Sequence, residues 1–97
     1  MNQQKDPFVS VIVVTMNGSD VIGRCLTTLL ANDYPNFEVL VVNNASIDGT
    51  AQLVARDFPQ VRVLTLSRNH GYPGGVNEGL KIARGDKAKG NIKIAAV

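Results

Sequence analysis

Three β-branched apolar runs, set apart by stretches of helical periodicity, constrain this chain more than any other feature. Phe8-Val-Ser-Val-Ile-Val-Val-Thr-Met16 is almost continuously apolar, and so is Phe37-Glu-Val-Leu-Val-Val42. Such runs suit strands covered on both faces, whereas a strand with one wet face alternates. Val61 to Leu66 alternates more and reads as a third strand nearer a sheet edge. Val21, Ile22, Cys25, Leu26, Leu29 and Leu30 form one helical stripe, with Ser19 placed to cap it and Asp20 in its first turn. Thr50 to Phe58 carries a second helix, packing through Leu53, Val54 and Phe58, and Pro59 ends it. A glycine loop, Ser67 to Gly75, leads to a third. Gly74 and Gly75 open this helix, Val76, Leu80 and Ala83 form its stripe with Gly79 on the same face, and Gly85 stops it. The order β-α-β-α-β-α implies parallel strands, right-handed crossovers and helices on the sheet's faces. The predicted fold class is therefore α/β, three layers (α/β/α) around a parallel sheet.

The 97 residues fit one small domain or part of a larger one, with a real but limited core. No apolar run approaches the roughly 20 residues of a membrane-spanning helix. Met1-Asn-Gln-Gln-Lys-Asp-Pro7 is not followed by a signal-type apolar core with a small-residue cleavage site. A cytoplasmic protein is the default expectation, and peripheral attachment at the inner membrane face is compatible with it. Net charge is +2, unevenly placed: residues 1–83 hold six basic and seven acidic side chains, residues 84–97 four and one. The body lacks the basic stripe that a nucleic-acid partner needs, so none is expected. The lone cysteine, Cys25, excludes an internal disulfide and a cysteine-based zinc site, and its place on the stripe marks a buried structural thiol.

In an open parallel sheet, ligands bind beyond the carboxyl ends of the strands. Those ends carry Thr15-Met-Asn-Gly18, Asn43-Asn-Ala-Ser-Ile-Asp-Gly49 and Ser67-Arg-Asn-His-Gly71. Turn chemistry favours Asn, Asp and Gly at any one such place. Three polar, glycine-containing loops on one rim argue for a site. His70 has no matched base or nucleophile nearby in sequence. Neither a P-loop nor a first-loop Gly-x-Gly-x-x-Gly is present, which counts against an ordinary dinucleotide-binding enzyme.

Three blocks carry a family resemblance: Val9-Ser-Val-Ile-Val-Val-Thr-Met-Asn17, Val41-Val-Asn-Asn-Ala-Ser-Ile-Asp-Gly-Thr50, and Asn69-His-Gly-Tyr-Pro-Gly-Gly-Val-Asn-Glu-Gly79 with Ala83-Arg-Gly85. In this order and spacing the chain resembles the N-terminal, nucleotide-binding part of the family 2 glycosyltransferases, a Rossmann-like half of the GT-A fold. The resemblance implies that residues 1–85 bind a nucleotide-diphosphate sugar, UDP- or dTDP-linked. It implies that an intact enzyme passes the sugar, with inversion, to an acceptor hydroxyl. Thr15 and Asn17 would line the base and ribose pocket. Asn43 stands where the family usually has an Asp; its amide can accept from a pyrimidine N3–H and also donate, where a carboxylate only accepts. Asn43 could equally just end its strand. Arg68 could neutralise diphosphate, flank the base or remain solvated. Gly74 and Gly75 could present helix N–H groups to an anion or serve close packing, and Ser46 and Asp48 shape the turn into the second helix.

The resemblance also implies Mg or Mn, held by an Asp-x-Asp motif, and a carboxylate that takes the acceptor proton. This sequence contains no Asp-x-Asp, so no metal ligand and no catalytic residue is assigned. Asp86-Lys-Ala-Lys-Gly-Asn91 is too polar for the buried strand expected there. Residues 86–97 are either a basic tail or, from Ile92, the start of a fourth strand. The chain is then a fragment carrying donor binding alone, or a relative that has lost catalysis. A rival reading is a non-catalytic α/β interaction or assembly module, self-associating through an open sheet edge.

Overall fold

A computed structural model describes residues 6–97; residues 1–5, part of the segment read for a leader, lie outside the described residues. Four strands form one parallel sheet: β1 (Val9–Thr15), β2 (Phe37–Asn43), β3 (Arg62–Thr65) and β4 (Ile92–Ala96). Their spatial order is β3-β2-β1-β4. Ile92–Ala96, for which strand and tail stood open, pairs with β1 from Ser10↔Ile92 to Val14↔Ala96. The polar residues before it do not spoil the strand, because a short 3-10 turn at Lys87–Lys89, with Asp86 Oδ1 accepting the Ala88 N–H (2.9 Å), absorbs them.

The central strands are covered on both faces, as their composition requires. On one face α1 (Ile22–Leu30) and α2 (Thr50–Asp57) pack Ile22, Leu26 and Val54 against Val13, Val39 and Val41. On the other, α3 (Gly71–Ile82) lays Val76 and Leu80 over Ile12, Val14, Leu40 and Val42. The helix can come this close because Gly75 and Gly79 have no side chain. A Cβ on Gly79 would stand 2.9 Å from Ile12 Cγ2 and 3.0 Å from Val42 Cγ2.

Five local expectations are corrected. Ser19 does not cap α1; the helix begins at Ile22, and the Ser19 N–H instead donates to Asp48 Oδ2 (3.0 Å). Val21 falls off the stripe and is exposed. Gly74 and Gly75 do not open α3, which starts at Gly71, where φ of 73° makes the turn that glycine tolerates. The same helix ends at Ile82, ahead of Gly85. Cys25 is half-buried against the core instead of sealed within it, and burial pushes its thiol pKa up. No described helix is long and apolar enough to cross a membrane.

Candidate functional site

β1 and β2 run in register to their last residues, Thr15↔Asn43, and β3 ends beside them at Asn43↔Thr65. The loops that follow therefore leave from one edge. Backbone and side-chain hydrogen bonds then join them. Asn17, at φ 54°, donates its N–H to Ser46 Oγ (2.8 Å) and accepts the Ile47 N–H on Oδ1 (2.9 Å). Asp48 accepts the Ser19 N–H on one oxygen and, on the other, the Thr50 N–H (3.1 Å) and the Thr50 hydroxyl. The Thr50 and Ser19 donors hold this carboxyl far below the usual carboxylate range. First and second loops are thus tied by three bonds.

Asn44 ties the second loop to the third. It is 3% exposed. Its Nδ2 donates to Gly71 O (2.9 Å), and its Oδ1 accepts the His70 N–H (2.8 Å). The Gly71 N–H donates to Asn69 Oδ1 (2.7 Å). Two amides at the start of α3 thus already have partners. Pro73, in the first turn, has no N–H to offer. Gly74 and Gly75 lie beyond the first three residues, so their N–H groups fall within the helix's own ladder. What Gly75 contributes is proximity: a Cβ there would be 2.9 Å from Val14 Cγ1 and 3.3 Å from Asn44 Nδ2.

The residues singled out from sequence share this end of the sheet but differ in access. Thr15 and Asn43 are 1% and 2% exposed, and by strand alternation they lie on the α1/α2 face with Val13 and Val41, away from Val14 and from the cavity on the α3 face, which neither of them lines. Asn43 Oδ1 accepts the Ser46 N–H (3.2 Å). Thr15 Oγ1 is buried without a hydrogen-bond partner, beneath Gly18, where any Cβ would overlap it. A buried hydroxyl left unpaired is costly, and this oxygen keeps its capacity to accept and donate beneath the Gly18 turn. Asn17 and Arg68 are exposed on the rim, and no ion pair of Arg68 occurs among the described residues.

Because β2 and β3 lie on one side of β1 and β4 on the other, the order in which strands are added across the sheet reverses between β1 and β4, which stay parallel. At that switch point, where open α/β sheets place their ligands, a cavity of about 270 Å³ opens. Val14, Met16, Asn44, Asn69, Tyr72 and Val97 are among its walls. A larger cleft of about 360 Å³ lies at the opposite, amino end, among Val9, Val11, Tyr34 and Phe37. Its exposed surface is mostly apolar and it lies far from the polar loops, so the smaller cavity is the better site. Sequence reading missed Asn44, Asn69 and Tyr72 as wall residues. The doubled Asn43-Asn44 was the available signal, since the second Asn of a strand-ending pair points away from the first.

The sequence model of glycosyl transferase family 2 matches residues 10–90. The chain belongs to that family. It is 40% identical over 82 residues to the succinoglycan biosynthesis protein ExoO of Rhizobium meliloti (strain 1021), covering 84% of this chain and 24% of that protein. A dolichyl N-acetyl-alpha-D-glucosaminyl phosphate 3-beta-D-2,3-diacetamido-2,3-dideoxy-beta-D-glucuronosyltransferase of Methanococcus voltae is 32% identical over 86 residues, 81% of this chain and 26% of that one. Among solved structures, S. aureus TarS 1-349 in complex with UDP superposes with a TM-score of 0.78 at 34% identity, over 93% of this chain and 27% of that one. Mannosyltransferase PcManGT from Pyrobaculum calidifontis, in complex with GDP-Man and Mn2+, gives 0.70 at 33% identity, over 79% and 24%. The chain spans about a quarter of the length of the relatives it matches. These neighbours are GT-A glycosyltransferases, and the sheet and helices described above share that fold.

Proposed function

We propose that this chain is the donor-binding portion of a glycosyltransferase, taking a nucleotide-diphosphate sugar at the carboxyl edge of its sheet. The observation that carries the reading is the joining of three polar strand ends into one rim at the switch point, in a chain of this family. A relative solved with UDP and another solved with GDP-Man support a nucleotide donor. UDP- or dTDP-linked sugar is the proposed class. In the proposed site Thr15 Oγ1 and the Asn43 amide, which lie beside the cavity and not in its lining, meet the base or ribose from beneath the Gly18 turn once it lifts. Asn17 and Arg68 close over the nucleotide from the rim, with the guanidinium meeting the diphosphate. Gly75 acts by letting α3 lie against Val14 and Asn44, and Gly74 by leaving room for the His70 side chain.

The proposed reaction of the intact enzyme is inverting transfer to an acceptor hydroxyl, whose oxygen bonds to the anomeric carbon as the bond to the diphosphate breaks. Among the described residues no group of three His, Cys, Asp or Glu side chains could hold a metal. The residues present do not fit the family's divalent ion, and no step through it is assigned to them. The chain is proposed to bind donor and to transfer little or no sugar by itself.

Titration of UDP, a UDP-sugar, a dTDP-sugar and GDP-mannose, followed by amide NMR, tests the reading. Shifts are expected at Thr15, Asn17, Asn43 and Arg68, larger for the pyrimidine nucleotides. Unmoved signals at all four positions at millimolar ligand would overturn it. The competing assembly-module reading draws on the two uncovered sheet edges, β3 and β4. A tight dimer indifferent to nucleotide in sedimentation would favour it.

A further inference from the structure

The amino end of the sheet holds a buried charge that the proposed site does not use. Glu38 opens β2 with its side chain 8% exposed. Its Oε2 accepts the Ser10 hydroxyl (2.6 Å) and the Arg84 N–H (2.9 Å). Its Oε1 accepts from Arg62 (2.7 Å), whose same nitrogen also donates to Ile82 O (3.1 Å). Ser10 Oγ in turn accepts the Gly85 N–H (2.7 Å), and the Ser10 N–H donates to Asn91 O (3.1 Å). Gly85 is seated so tightly that a Cβ would overlap Asn91 O and stand 2.9 Å from Ser10 N. One carboxylate therefore joins the starts of β1, β2 and β3 to the end of α3 and to the lead-in of β4.

Each of those elements ends at, or begins from, the nucleotide rim. β1 ends at Thr15, β2 ends at Asn43 and leads directly into Asn44, α3 begins at Gly71, and β4 leads out to Val97 at the cavity wall. α3 is held by Asn44 at its start and by the Glu38 cluster just past its end, and with Gly75 and Gly79 against the sheet it has no slack between. The pairing of β4 with β1 begins at Ser10, one of the clustered residues. A shift at the cluster is therefore a shift of α3 and β4 as units.

We propose that Glu38 is a positioning residue for the nucleotide cavity: its ionised carboxylate fixes where the start of α3 and the end of β4 stand relative to the cavity residues Val14 and Asn44. It touches no ligand and acts about 17 Å away, five residues along β2. A dry carboxylate suits the task because it can accept several donors at once, which a neutral amide of the same shape cannot do without turning an NH₂ toward Arg62. The inference rests on the donor-site reading only for its effect on affinity; its effect on the free protein stands apart.

Glu38→Gln is the first variant, Ser10→Ala the second, and Val54→Ala in α2, remote from both ends of the cluster, is the stability control. Amide spectra of the free proteins are compared at neutral pH, and UDP is then titrated into each. Glu38→Gln and Ser10→Ala are expected to move the His70, Gly71 and Val97 signals. Both are expected to weaken UDP binding about three- to tenfold, a span usual for mutations along a coupled network. Val54→Ala is expected to lower the melting temperature as much or more, leaving those signals and the affinity in place. Movement confined to residues around positions 10, 38, 62 and 84 would overturn the proposal, as would parallel affinity losses in Val54→Ala. If the unaltered protein does not bind UDP, the donor reading fails, and the free-protein shifts alone decide the role of Glu38. If Glu38→Gln does not fold, Ser10→Ala, which keeps the Glu38–Arg62 pair, decides it.

Discussion

Replacing the two glycines of α3 by alanine isolates what close approach does for this fold. At Gly79 a new methyl would stand 2.9 Å from Ile12 Cγ2 and 3.0 Å from Val42 Cγ2, both on fully buried side chains. Overpacking of that kind costs about 1–3 kcal/mol. Alanine in a helix interior returns about 0.5–1 kcal/mol over glycine. The net is a loss of about 1 kcal/mol, which for a domain of this size lowers the melting temperature by about 4–8 °C. Gly75→Ala meets Val14 Cγ1 at 2.9 Å and so carries a similar loss, but it also presses on Asn44 Nδ2 at 3.3 Å. If that amide leaves Gly71 O, the start of α3 loosens. Thermal melts by circular dichroism and hydrogen exchange at Gly71 read the two effects separately. Both variants are expected to melt lower, with faster Gly71 exchange and weaker UDP binding only in Gly75→Ala. A rise in melting temperature for Gly79→Ala, as helix propensity alone would give, would refute the argument. It would mean that α3 can ride up from the sheet at no cost.

Asn44→Ala removes both bonds that clasp His70 and Gly71 and is expected to cost about 1–3 kcal/mol, measured by urea denaturation, with exchange at Gly71 rising most. The acid limb of stability is expected to depend on Glu38. Burial pushes its carboxyl up, but hydrogen bonds from Ser10, Arg62 and the Arg84 amide, with the Arg62 charge, outweigh this and hold it below its ordinary value. The folded form then binds fewer protons than the unfolded one, so this contribution is complete above the ordinary carboxylate range and is lost as pH falls through the depressed value. Glu38→Gln should flatten that limb in a pH series of melts; an unchanged slope would count against the assignment. Cys25 is expected to react with a thiol reagent more slowly in the folded protein than in urea, since burial raises its pKa and limits access.

The features legible in sequence were those set by local chemistry. Continuous β-branched runs announced β1 and β2, and loops rich in Asn, Asp and Gly announced the rim, because strand burial and turn formation are decided within a few residues. Misread features were decided by distant partners. Ser19 had the side chain of a helix cap, but its N–H goes to Asp48, in a loop nearly thirty residues on, and the helix starts later. Gly74 and Gly75 looked like a helix opening, but Gly71 supplies the turn and Asn44 holds it. Thr15 and Asn43 were expected as pocket walls but are buried on the α1/α2 face, and their even-numbered neighbours Val14 and Asn44 line the cavity, because the parity of a strand end is fixed by which face α3 covers. Glu38 passed unremarked as one acid at the mouth of an apolar run. Its meaning depends on Ser10 beside it in register and on Arg62 one strand over, a relation no window of sequence contains.

The two ends of the sheet are fastened by different chemistry, and the difference follows from what each end faces. The amino end is held by a buried carboxylate with three donors, which is strong where no ligand comes. The carboxyl end is held mainly by the neutral amides of Asn17, Asn43, Asn44 and Asn69, and its bonded carboxylate, Asp48, has both oxygens taken up by Ser19 and Thr50. On the proposed reading a diphosphate must enter at that end. A free carboxylate there would repel it across a poorly screened gap, whereas amides fix the loops without adding charge. The exposed Arg68 then gives the rim a cation with no internal claim on it among the described residues. A fold fastened the other way round, with the buried acid under the rim, would hold its strands as well and bind the donor worse.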